Sequence, residues 1–62
     1  MPDKTREEMI VEIVAIYRQL RELKVFPREI KLNKASDEEL EIEIEAVGDQ
    51  LKRRKEFLGV EI

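Results

Sequence analysis

The sequence predicts an all-α fold: an antiparallel two-helix hairpin with a roughly ten-residue extended linker, dimerising into a four-helix bundle. Three observations carry this: two capping-box signatures, two apolar stripes at helical spacing, and a proline between them. The chain reads as a single small helical domain over 1–62, with a helix about 5–25, a linker 26–36 and a helix about 37–58.

Thr5-Arg6-Glu7-Glu8 opens the first helix, because a Thr hydroxyl can accept an orphan amide of the first turn while Glu8 reaches back to the cap residue's own amide. Met9, Ile13, Ile16, Leu20 and Leu23 follow at spacings of four, three, four and three, one stripe of a helix. Pro27 limits the run, since the residue before a proline is pushed out of the α region, and the helix is expected to end around Lys24 to Phe26. Ser36-Asp37-Glu38-Glu39 repeats the capping box, and Leu40, Ile44, Val47, Leu51 and Leu58 form the second stripe. Gly59 is placed for a left-handed C-cap, and Lys52 to Lys55 put positive charge in the closing turns, where the helix dipole favours it.

Two features leave an alternative open. Leu40-Glu41-Ile42-Glu43-Ile44-Glu45-Ala46 alternates apolar and charged residues, the template of a half-buried strand, with Ile30-Lys31-Leu32 as its partner in an α+β fold. Glu is a poor strand former and a good helix former, and the cap just upstream points to helix. Gly48 costs a helix interior about 1 kcal/mol relative to alanine, so it marks either a break, with Asp49 capping a shorter last helix, or a close approach of another backbone.

At 62 residues a chain buries only about 60% of the surface its unfolded form exposes, so stability is marginal without help. With no cysteine and no histidine, neither disulfides nor the usual zinc sites supply it. Hydrophobic residues at 42% and charged residues at 44% exclude both a disordered tail and a membrane span. The abundant ionic groups, with Thr5, Gln19, Asn33, Ser36 and Gln50 as the only Ser, Thr, Asn or Gln residues, match proteins of heat-loving organisms or designed helical proteins. MPDKTREE has no apolar signal region, and the expected setting is cytoplasmic.

Met9, Ile10, Ile13, Val14, Ile16, Tyr17, Leu20 and Leu23 cover an arc of about 180°, wider than one partner helix fills. On the second helix Ile42, Ala46 and Phe57 fall opposite the main stripe. The expected self-association or partner face is therefore Met9, Ile10, Ile13, Val14, Ile16, Tyr17, Leu20, Ile42 and Phe57, and a homodimer is the simplest way to cover it. The competing solution folds Val25, Phe26, Ile30 and Leu32 back as a lid over a monomeric core. Both helices are acidic early and basic late, so an antiparallel pair sets each acidic end beside a basic one.

Without Cys or His there is no nucleophile pair, and two glycines cannot build a phosphate loop, so no catalytic activity and no cofactor is expected. Glu38, Glu39, Glu41, Glu43 and Glu45 lack the order of a calcium loop and read as a solvated acidic first turn. Lys52, Arg53, Arg54 and Lys55 are the candidate polyanion contact, yet they wind around more than one turn and no aromatic residue interleaves to stack bases. Tyr17 is expected to pack its ring in the core with its hydroxyl reaching water, and Phe26-Pro27 to anchor the linker. In length and outline the chain resembles the small RNA-binding helical-hairpin regulators of plasmid copy number, a likeness of fold alone because its linker is longer than their tight turn. The short helical chorismate mutases need a third helix for which this chain has no room. The reading is a non-catalytic interaction or self-assembly module, the alternative a small nucleic-acid-binding regulator.

Overall fold

The structure, a computed structural model, describes residues 4–59, with side chains as far as Phe57. Helix α1 runs Arg6–Glu22, a short 3₁₀ turn spans Leu32–Lys34, and helix α2 runs Asp37–Gly59. No described residue lies in a strand, so the 40–46 stretch is helical and the α+β alternative falls. Both capping boxes form. The Glu8 amide donates to Thr5 Oγ1 at 3.2 Å and the Thr5 amide to Glu8 Oε1 at 2.8 Å. The Glu39 amide donates to Ser36 Oγ at 3.1 Å and the Ser36 amide to Glu39 Oε1 at 2.7 Å. Four orphan amides are thereby satisfied by neighbours in sequence, which fixes where each helix starts.

The first helix ends earlier than Pro27 requires. Lys24 takes up a left-handed conformation, φ 66°, and the chain doubles back on the helix end. The Lys24 amide donates to the Arg21 carbonyl at 3.0 Å and the Val25 amide to the Leu20 carbonyl at 2.8 Å, the paired bonds of a Schellman motif. Gly48 neither breaks α2 nor admits a neighbouring backbone: the helix is continuous through it, and a Cβ placed there meets nothing within 4 Å. Gly59, expected as the left-handed C-cap, is instead the last residue of α2, and no described glycine has a positive φ; the place of the Leu58 side chain in its stripe lies outside the described residues.

The two expected helices pack against each other, but they run in the same direction. At one end Arg6 Nη1 donates to Asp37 Oδ1 at 3.1 Å, joining the first residues of α1 and α2. At the other, Arg54 Nη2 donates to the Leu23 carbonyl at 3.4 Å. Both contacts join residues 31 apart in sequence, so one offset holds along the whole pair. In an antiparallel hairpin Arg6 lies about 25 Å from Asp37, the length of α1. The antiparallel expectation is therefore corrected, and the linker is the reason. Tight helix–helix connections take about 2–8 residues, whereas residues 23–36 are enough to travel back along α1 before α2 begins. Arg6 receives the returning chain, with Nη2 donating to the Leu32 and Asn33 carbonyls, each at 3.3 Å.

This return path completes the core. Met9, Ile13, Ile16, Tyr17 and Leu20 of α1 meet Leu40, Val47 and Leu51 of α2 and Ala35 of the linker, and Val25, Ile30 and Leu32 pack against them. The wide apolar arc of α1 thus has two neighbours, a helix and a linker. Of the expected lid residues only Phe26 stays out, at 72% exposed. Tyr17 ties the three segments together: its hydroxyl donates to Glu43 Oε2 on α2 and accepts the Ile30 amide of the linker at 3.3 Å. Its hydroxyl therefore reaches partners in the protein where the sequence reading expected water.

Candidate functional site

The structure divides the expected association face into two sets. Met9, Ile13, Ile16, Tyr17 and Leu20 are buried inside this one chain, which removes them from any surface. Ile10 is half-buried against the core. Val14, Ile42 and Phe57 remain outside at 41%, 63% and 70% exposed. Val11, at 67%, belongs with them and was missed because it sits off the main stripe of α1. Phe26, at 72%, completes the exposed set among the described residues. Two shallow depressions accompany it, one on α2 lined by Glu41, Ile42, Glu45, Ala46 and Asp49, the other on α1 lined by Thr5, Glu7, Glu8, Val11 and Glu12.

The basic run is not one free stripe. Arg53 pairs with Asp49 at 3.0 Å, one turn back on the same helix. Arg54 turns inward to the end of α1, its guanidinium carbon 5.8 Å from the centroid of the Phe57 ring and its Nε buried without a partner among the described residues. A positive group beside the last carbonyls of α1 suits that helix's dipole. Lys52 and Lys55 face solvent. The parallel arrangement also gathers what the sequence keeps apart. Because Leu23 touches Arg54, the late basic residues Arg18, Arg21 and Lys24 lie at the same end of the molecule as Lys52 to Lys55, with Phe57 beside Arg54 and Phe26 exposed three residues beyond Leu23. The opposite end carries Glu7, Glu8 and Glu12 beside Asp37, Glu38 and Glu39, with Lys4 paired to Glu12 and Arg6 to Asp37.

Among the described residues the strongly shifted group is Tyr17. Burial pushes its hydroxyl up to about 12, helped by the hydrogen bond to Glu43, while the Ile30 amide pulls the other way. A phenol held protonated and bonded on both sides is a structural tie. Among the described residues no three acidic side chains converge to hold a metal ion, and none of their helices is long and apolar enough to cross a membrane. Comparison with known protein families, curated proteins and solved structures finds no match to this chain.

Proposed function

We propose that the chain is a cytoplasmic, non-catalytic interaction module that assembles with a second copy of itself. One observation carries the reading. Five large apolar side chains, Val11, Val14, Phe26, Ile42 and Phe57, stand 41% to 72% exposed around a core that is already closed. Folding alone gives them no role, and association is the physical process that gains from covering them. Val11 and Val14 lie on α1 and Ile42 and Phe57 on α2, and a shallow depression adjoins Val11 on the one helix and Ile42 on the other. The earlier likeness to tight-turn RNA-binding hairpins lends no support, since a parallel pair presents different faces.

A second reading is favoured by one specific observation: the aromatic residues missing from the basic run in sequence are supplied in space by Phe26 and Phe57, at the end where both helices are basic. Cations with exposed rings are what a single-stranded nucleic acid meets on its binding proteins. One experiment separates the two readings. Light scattering from about 1 µM to about 1 mM reads self-association directly, and a single-stranded RNA oligonucleotide added at low salt reads the second. A mass that climbs to that of a dimer without RNA supports the interaction module. A monomer throughout overturns it, and salt-sensitive RNA binding by that monomer puts the second reading in its place.

A further inference from the structure

The outer face of α1 carries a second seam that the core does not use. Glu7, Val11, Val14 and Arg18 follow at spacings of four, three and four, the rhythm of a coiled-coil contact line. At 100° per residue they fall within about 60° of arc, opposite Met9, Ile13, Ile16 and Leu20. All four are exposed, Val11 at 67% and Val14 at 41%. Neither Glu7 nor Arg18 forms an ion pair with a described residue.

This seam is complementary to itself when reversed. Turned end for end about the point midway between residues 12 and 13, Val11 takes the place of Val14 and Glu7 the place of Arg18. We propose that a second copy of this chain docks there, its α1 antiparallel to the first, so that one two-fold axis relates the copies. Each contact then occurs twice, as a closed symmetric dimer requires. Val11 of each copy packs beside the partner's Val14, and the groove lined by Thr5, Glu7, Glu8, Val11 and Glu12 lies beside that layer. Glu7 of each copy faces the partner's Arg18, closing both ends of the seam with opposite charges. The next layer out brings Lys4 toward the partner's Arg21, and here the repulsion is already answered within each chain, by Glu12 for Lys4 and by Glu29, 3.6 Å from Arg21.

The charge order selects a second copy as the occupant, because the surface this seam fits is its own reverse. One helix face is smaller than the roughly 800 Å² per partner of a standard interface, so the dissociation constant is expected between about 1 µM and 1 mM. The inference rests on the interaction-module reading above, and charge reversal tells the failure of one from the failure of the other.

Sedimentation equilibrium at low salt, over that concentration range, is the test. In Glu7→Arg each seam end sets Arg against Arg, and in Arg18→Glu it sets Glu against Glu. Each single variant is expected to weaken the dimer at least about tenfold, and the double variant Glu7→Arg/Arg18→Glu to return it to within about threefold of the parent. Circular dichroism on each variant confirms that the helices persist, since both positions are exposed. A dimer indifferent to both single reversals overturns the inference and leaves the interaction module standing on another face. A monomer at every concentration overturns both.

Discussion

Lys24 and Gly48 are each the residue that the other position favours. Lys24 occupies the left-handed turn that ends α1, at φ 66°, where a side chain costs about 1–2 kcal/mol and glycine almost nothing. Gly48 sits inside a continuous helix with open space where a Cβ goes. Lys24→Gly is therefore expected to stabilise the chain by about 0.5–1 kcal/mol, after allowing for glycine's freedom in the unfolded state, and Gly48→Ala by about 1 kcal/mol. In a domain this small each gain raises the melting temperature by about 4–8 °C per kcal/mol, readable by thermal circular dichroism. A Lys24→Gly variant that melts lower than the parent refutes the Schellman ending. The same pair explains a misplaced helix boundary. Glycine advertises a left-handed turn in sequence and lysine does not, so Pro27 points to an end around Lys24 to Phe26 while the turn at Lys24 closes the helix at Glu22.

The helix starts were legible because each capping box is a local bargain among residues that adjoin in sequence, and both formed with the bonds their spacing implied. The linker was not, because its structure depends on partners far along the chain. Tyr17 shows the difference: its place on the apolar arc was readable, while its bonds to Glu43 and Ile30 join residues 26 and 13 positions away. That tie gives stability a pH dependence of known sign. An unfolded tyrosine releases its proton near 10, and the folded one holds it to about 12. Between those values the unfolded state binds fewer protons, so stability is complete below about pH 10 and falls as pH rises toward about 12, by on the order of 2 kcal/mol. Denaturant unfolding across this range is expected to show the fall in the parent and a smaller one in Tyr17→Phe. Phenolate absorbance reports the group directly, since Tyr17 is the only tyrosine and there is no tryptophan. A folded-state midpoint near 10 contradicts the tie.

The direction of the helix pair belongs to the whole molecule, and charge order could not decide it. Exposed ion pairs contribute about 0–1 kcal/mol each, and the same acidic-to-basic gradient that answers an antiparallel neighbour also answers each helix's own dipole. Parallel helices align their dipoles, so acidic residues at both N-terminal ends and basic residues at both C-terminal ends offset what that alignment costs. The deciding terms are non-local: burial of Ala35 with Val25, Ile30 and Leu32 along the return path, and the Arg6 fork that receives it. One clue was present in the sequence, since so many apolar residues between two helices are unsuited to a solvated loop. The chain lacks cysteine, so paired spin labels can test the direction cleanly. Labels at Glu8→Cys with Glu38→Cys, and at Glu22→Cys with Lys55→Cys, are each expected to report about the 8–10 Å helix spacing plus the label arms. The crosswise pair Glu8→Cys with Lys55→Cys is expected to add the axial length of α1, about 25 Å. Dipolar spectroscopy on samples diluted with unlabelled chain reads one molecule at a time. A short crosswise distance with long same-end distances would restore the antiparallel hairpin, and with it would disperse the basic, aromatic end that only a parallel pair assembles.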